Sequence, residues 1–218
     1  MPEILDPRLE ILSAAQREAW PRLRVLRDRG LVLYGGTAIA LHLGHRESLD
    51  FDFFGLEPLD KAVLRPISSF AQEISILQDE TNTVAILAEM PSGIVKVSCF
   101  GGMRLGRVRH PLATRDGTLL VASLDDLFST KLKAILDRAE AKDYRDIAAM
   151  LRAGASLERG LAVFRKMFRG EPATVLKAIG YFEDGDLASL TAADRQTLRD
   201  ARDGVGAIPD VELVLEFR

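Results

Sequence analysis

The sequence predicts an α/β (α+β) chain: a mixed, mostly antiparallel sheet flanked by helices, followed by a helical extension. Three observations carry this. Residues Leu31 to Phe54 read as strand, glycine turn, short helix and second strand. From Ile74 to Phe100, β-branched and apolar segments alternate with Asp-Glu-Thr-Asn and Met-Pro-Ser-Gly turns, the grammar of an antiparallel meander. From Ser123 onward the apolar spacing is helical. The expected division is a core over 1–122, including an N-terminal helix, and a helical region over 123–218.

In chain order, Leu9, Leu12, Ala15, Ala19, Leu23 and Leu26 recur at helical spacing over Pro7–Gly30, with Gly30 as the stop and Pro21 as a kink or division. Leu31–Leu33 form an apolar strand that runs into Gly35-Gly36-Thr37. Glycines after a strand tolerate positive φ and close approach of a ligand. A helix starting there points free N–H groups and a positive dipole end outward, which suits phosphate. Thr37 is placed either to cap that helix or to put its hydroxyl on a phosphate oxygen. A polar loop, Gly44–Ser48, leads to the strand Asp50-Phe51-Asp52-Phe53-Phe54. Alternation puts Asp50 and Asp52 on one face and the phenylalanines on the other. Two adjacent carboxylates repel, and a divalent cation relieves the repulsion; Mg²⁺ is usually held by one or two carboxylates plus substrate phosphates. Next, Pro58 and Asp60 open a short helix over Ala62, Val63 and Leu64, interrupted at Pro66 beside Arg65. The meander follows, then a loop with Arg104, Arg107 and Arg109, and a short strand near Leu119–Val121.

Ser123, with Asp126 three residues on, reads as an N-cap. In one unbroken helix from there, Lys131, Arg138 and Lys142 fall within about 40° of one another and make a basic stripe able to neutralise a triphosphate. Asp143 then lands among Leu132, Leu136, Ala139, Ile147 and Met150, where a carboxylate needs a partner. Either the helix breaks near Ala139–Ala141 or Asp143 holds a cation. Beyond Ala155, Leu157–Phe168 and Val175–Phe182 are helical, split by Gly170-Glu171-Pro172.

The 218 residues carry a formal net charge of −3, which argues against nonspecific coating of nucleic acid but leaves room for a local basic patch. The single cysteine, Cys99, excludes an intrachain disulfide and reads as a buried thiol. His42, His45 and His110 lack metal-ligand spacing. No apolar run is long enough for a membrane helix, and the N-terminus lacks signal-peptide character; the expectation is a cytoplasmic protein without membrane contact.

The string Gly35-Gly36-Thr37-Ala38, Gly44-His45-Arg46, Ser48, Asp50-Phe51-Asp52-Phe53-Phe54 resembles the first motif of the nucleotidyltransferase superfamily. At this length it resembles more narrowly the AbiEii/AbiGii-type nucleotidyltransferase toxins of bacterial abortive-infection and toxin–antitoxin systems. The later spacing Lys131, Arg138, Lys142-Asp143, Asp146 resembles the basic motif of the same group. The resemblance implies a nucleotidyltransferase fold and transfer of a nucleoside monophosphate from an NTP to an RNA (tRNA) or protein acceptor. It also implies Mg²⁺ (or Mn²⁺) as cofactor and a cognate antitoxin as partner. The implied catalytic residues are Asp50, Asp52 and Lys131, with Asp50 and Asp52 as the metal ligands. The implied nucleotide-binding set is Gly35, Gly36, Thr37, Arg46, Ser48, Lys96, Arg138, Lys142 and Asp143. One position departs from the group: a third carboxylate is expected after Val95-Lys96-Val97, and Ser98 stands there. Asp79, Glu80 and Glu89 are alternatives on neighbouring strands. The departure keeps open a second reading, a nucleotide-binding module of reduced turnover that acts through protein contacts.

Overall fold

The computed structural model describes residues 3–64 and 71–215, so the break expected at Arg65–Pro66 lies outside the described residues. The chain forms two compact units, Met1–Leu105 with His110–Ala122, and Gly106–Arg109 with Ser123–Arg218.

The first unit is built on a sheet of eight strands among the described residues: β1 (Ile4–Leu5), β2 (Val32–Tyr34), β3 (Asp50–Phe54), β4 (Glu73–Glu80), β5 (Thr83–Met90), β6 (Gly93–Phe100), β7 (Leu112–Thr114) and β8 (Leu120–Val121). Their spatial order is β1-β7-β8-β2-β3-β6-β5-β4. Pairing is antiparallel for β2–β3, β4–β5, β5–β6 and β7–β8, and parallel for β1–β7, β2–β8 and β3–β6. The meander therefore forms as its turns predict, and it supplies the three strands beyond β3. β1 and β7 are additions to the expected elements. They are two and three residues long, with β7 paired to β1 on one side and β8 on the other, so neither carries a periodicity of its own to read.

The expected helix over Pro7–Gly30 is instead a chain of short pieces. A 3-10 turn at Leu9–Ile11 precedes α1 (Ala14–Ala19), and a second at Trp20–Leu23 joins it to α2 (Arg24–Asp28). Ser13 and Gln16 form a reciprocal capping box that starts α1 afresh. Pro21 occupies the first turn of the second 3-10 segment, where its missing N–H costs nothing. Leu12, Ala15, Ala19, Leu23 and Leu26 are all buried, so the apolar face survives the interruptions. Trp20 packs on Phe51, ring centroids 6.3 Å apart. The inner face of β3 thereby joins the core with Val97 and Cys99, the register partners of Phe51 and Phe53 on β6.

The second unit is helical: α4 (Leu124–Asp137), α5 (Ala141–Arg152), α6 (Leu157–Phe168), α7 (Pro172–Ile179) and α8 (Ala192–Asp203). Ser123, Ser156 and Thr191 each accept a hydrogen bond from the backbone N–H three residues on, capping α4, α6 and α8. At Gly160 a Cβ would overlap the Phe128 ring, which is how α6 comes to lie close against α4.

Candidate active site

Strand β3 alternates as the sequence demands: Phe51 and Phe53 are fully buried, while Asp50, Asp52 and Phe54 are half-buried on the opposite face. Parallel pairing with β6 sets Asp50 opposite Lys96 and Asp52 opposite Ser98. Residues opposite each other in register share a sheet face, so both aspartates, the lysine and the serine belong to one surface. Lys96 Nζ lies 3.5 Å from Asp50 Oδ2, each side chain more than a third exposed. Ser98 is buried. On the inner face, burial first and the Asp52 charge second push the Cys99 thiol up to about 12.

The glycine turn sits directly against this surface. α3 (Gly35–Leu43) starts without a side-chain cap. Gly35 has φ +73°, and a Cβ there would stand 2.9 Å from Asp52 Oδ2. Only glycine meets both conditions at low cost. A Cβ on Gly36 would overlap the Arg46 guanidinium and stand 3.1 Å from Ser48 Oγ. The two glycines thus accept a carboxylate and a guanidinium at adjacent positions, at the helix end where N–H groups point outward.

Thr37 and Ser48 are corrected from nucleotide contacts to struts. Thr37 is fully buried, neither caps α3 nor reaches its surface, and its hydroxyl bonds Ser48 Oγ at 2.9 Å and the Asp50 carbonyl. Ser48 in turn accepts at its carbonyl from Gln16 Nε2, 2.7 Å away. The sequence reading missed Gln16, the same residue that closes the capping box on Ser13. Its signal was Ser-x-x-Gln ahead of an apolar helix. Together these bonds fix where β3 begins relative to α3.

The second unit contradicts the continuous basic stripe. The helix breaks at residues 138–140: Arg138 and Glu140 are extended, and α5 restarts with its Ala141 N–H donated to Asp186 Oδ1 at 2.6 Å. Both branches of the sequence reading hold, because Asp143 also has its cations. Lys131 Nζ donates to Asp143 Oδ1 at 2.6 Å and lies 2.8 Å from Asp146 Oδ2, and Arg138 Nε donates to Asp143 Oδ2 at 2.8 Å. Asp143 and Asp146 are fully buried, and Lys131 is nearly so. Burial works to raise the Asp143 carboxyl, but the Arg138 hydrogen bond and the Lys131 charge outweigh it and hold it below the ordinary carboxylate range. Lys131 is therefore enclosed between two carboxylates rather than presented to phosphate, and Asp143 orients cations rather than touching nucleotide. Arg138 remains half exposed, and Lys142 pairs at the surface with Glu140 at 2.7 Å. Asp146, part of the motif but outside the implied site residues, is the second carboxylate on Lys131; its place three residues after Asp143, on the same buried helix face, was the signal for that role.

Oxygen donors on one sheet face suit a hard cation such as Mg²⁺, and Asp50 and Asp52, with the Ser98 hydroxyl beside them, fit one. Asp79, Glu80 and Glu89 do not extend the set. β5 and β4 stand two and three strands from β3, roughly 10 and 14 Å away. Ala85 is the residue across from Ser98 on β5, and Asp79 pairs with Lys61. Among the described residues no three His, Cys, Asp or Glu side chains gather as a metal site, and no helix is long and apolar enough to cross a membrane.

Comparison with known proteins speaks to the family and the fold. The family model described as nucleotidyl transferase AbiEii toxin, type IV toxin–antitoxin system, matches residues 22–216. An uncharacterized protein of Aquifex aeolicus (strain VF5) is 30% identical over 181 residues, 79% of this chain and 84% of that one. Among solved structures, JHP933 from Helicobacter pylori aligns with TM-score 0.55 and 17% identity, covering 87% of this chain and 89% of its own. The nucleotidyltransferase toxin MenT4 of Mycobacterium tuberculosis H37Rv aligns with TM-score 0.55 and 15% identity, covering 87% of each chain. At these identities the two structures speak to the fold, a nucleotidyltransferase fold.

Proposed function

The chain belongs to the AbiEii nucleotidyl transferase toxin family, and from that premise we propose that it transfers a nucleoside monophosphate from an NTP to a hydroxyl of an RNA, such as a tRNA end, or of a protein. The observation that carries the proposal is the Asp50–Asp52 face held against Gly35. In the reaction, the acceptor oxygen bonds to the α-phosphorus and the α–β bridging P–O bond breaks. Pyrophosphate leaves with the electron pair, and the hydroxyl proton passes to water.

Asp50 and Asp52 would hold Mg²⁺, which when bound supplies charge neutralisation at the triphosphate and a fixed orientation for it. The N–H groups around Gly35–Gly36 and the Arg46 guanidinium bind phosphate oxygens. Thr37 and Ser48 keep that turn in place. In the second unit, Arg138, positioned through Asp143 and Lys131, and Lys142 are the partly exposed cations that the resemblance implies for nucleotide. As a type IV toxin-antitoxin family member, the protein would be restrained by an antitoxin partner, with the cytoplasm as its place of action.

Purified protein incubated with Mg²⁺, labelled NTPs and either whole-cell RNA or cell protein should label one acceptor band. Asp50→Ala/Asp52→Ala should abolish it. Labelling that survives the double substitution refutes the assignment. The register position of Ser98 favours one second reading, a nucleotide-binding module; calorimetric NTP binding with no labelled acceptor in either extract would select it.

A further inference from the structure

Ser98 occupies the register position opposite Asp52, where the resemblance implies a third carboxylate, and Lys96 sits two residues before it on the same face, 3.5 Å from Asp50. We infer that this site works with one divalent cation, and that the Lys96 ammonium stands in the place of the second. The inference rests on the metal-bound nucleotide reading above and specifies its charge arrangement.

The reasoning is one of charge and reach. Three carboxylates balanced by two divalent cations leave a site with a single net positive charge to face the nucleotide. Two carboxylates, one lysine and one divalent cation leave the same single positive charge. A second divalent ion added to the lysine would instead carry the site to three, with only a hydroxyl to ligate it. A serine hydroxyl is a neutral, weak ligand beside a carboxylate, and hard cations are held chiefly by charged oxygen. Among the described residues, the neighbouring strands of the sheet do not make up the replacement. The next strand offers Ala85 at that position, and the acidic residues of β4 and β5 lie too far along the sheet. Lys96 meets the geometric need because parallel pairing fixes it beside Asp50 rather than on a loop. Its long, half-exposed side chain can turn from Asp50 toward an incoming phosphate or acceptor oxygen. An ammonium there stabilises the charge growing on those oxygens during transfer.

The arrangement makes a prediction opposite in sign to that of a merely structural lysine. Lys96 and the metal compete for the Asp50 carboxylate, so Lys96→Met should tighten Mn²⁺ binding to the nucleotide-free protein by about two- to fivefold, the range an exposed ion pair supports. The same substitution should slow transfer. Bound Mn²⁺ is counted per chain by equilibrium dialysis and electron paramagnetic resonance, with a non-transferable α,β-methylene NTP analogue present. The native protein should hold one ion, Lys96→Met one, and Ser98→Asp two, with circular dichroism checking the fold of each. Two ions in the native protein, or weaker Mn²⁺ binding in Lys96→Met, overturns the inference alone. No bound ion in the native protein overturns the metal-site reading itself and the inference with it. The Lys96→Met arm decides the question even where Ser98→Asp fails to fold.

Discussion

Replacing Lys131 with methionine should destabilise the helical unit by stranding charge in a dry place rather than by losing apolar contact. The methionine fills nearly the same volume, so packing is kept. What is lost is the ammonium lying 2.6 Å from one fully buried carboxylate and 2.8 Å from another. Breaking a buried pair by removing one partner costs about 3–5 kcal/mol. Asp143 keeps its bond from Arg138, so the lower part of that range is expected, about 3 kcal/mol. For a chain of this size that is a fall of roughly 6–12 °C in melting temperature. The pH dependence supplies an internal control. Asp143 has a depressed folded-state pKa, so its stabilising contribution is complete above the unfolded value near about 3.9 and is lost as pH falls through the folded one. The gap between native and Lys131→Met should therefore be widest near neutrality and narrow below about pH 4. A second change, Asp146→Asn, removes one of the stranded charges and should recover part of the loss. Thermal and urea unfolding followed by circular dichroism measure all three. A deficit under about 1 kcal/mol, or one that does not shrink in acid, would refute the view of this cluster as a buried charge balance.

Gly35→Ala should cost about 1–3 kcal/mol for the left-handed backbone and displace the Asp52 carboxylate, lowering kcat by more than about tenfold; nucleotide labelling and a denaturation curve test the two effects. Gly36→Ala has no such backbone strain, so it should act by pushing the Arg46 guanidinium aside and should raise the KM for NTP more than it lowers kcat. Steady-state kinetics separate these, and an unchanged KM would remove Arg46 from phosphate binding. Cys99 should be silent to a thiol reagent such as dithionitrobenzoate in the native state at pH 8 and react fully in denaturant, since it is completely buried with its thiol pushed up to about 12. Rapid native labelling would mean that the core behind Asp52 opens.

The parts legible in the sequence were those governed by local rules. Alternation in Asp50–Phe54, the turns of the meander and the cap at Ser123 depend on residues within a few positions of one another, and all formed. The fold class rested on the same local grammar together with the motif. What escaped was set by distant partners. The break between α4 and α5 is sealed by Asp186, some 45 residues away along the chain. The misplaced carboxylate of Asp143 points to a break near Ala139–Ala141 as one of two outcomes, but nothing local selects it, and without it Lys131, Arg138 and Lys142 read as one stripe. The roles of Thr37 and Ser48 were hidden for the same reason: a hydroxyl's partner depends on which strand start the helix lies against. β1 exists only through β7, and β7 lies between β1 and β8. The tension at Asp143, a carboxylate on an apolar face, was visible and pointed to the right place before its resolution was known.

The parallel pairing of β3 with β6 carries a consequence for how this surface tolerates change. No tight turn links the two strands, so nothing local dictates which residue of one meets which of the other. Their alignment depends on the wedge of Phe51 and Phe53 against Val97 and Cys99 underneath. A slip of a single residue would swap inside for outside along the whole strand, turning Lys96 and Ser98 inward and offering valines to the nucleotide. Oily side chains that never meet a ligand thus act as the ruler for the polar ones, and conservative trimming of Phe51 or Val97 should disturb chemistry on a face those residues do not touch.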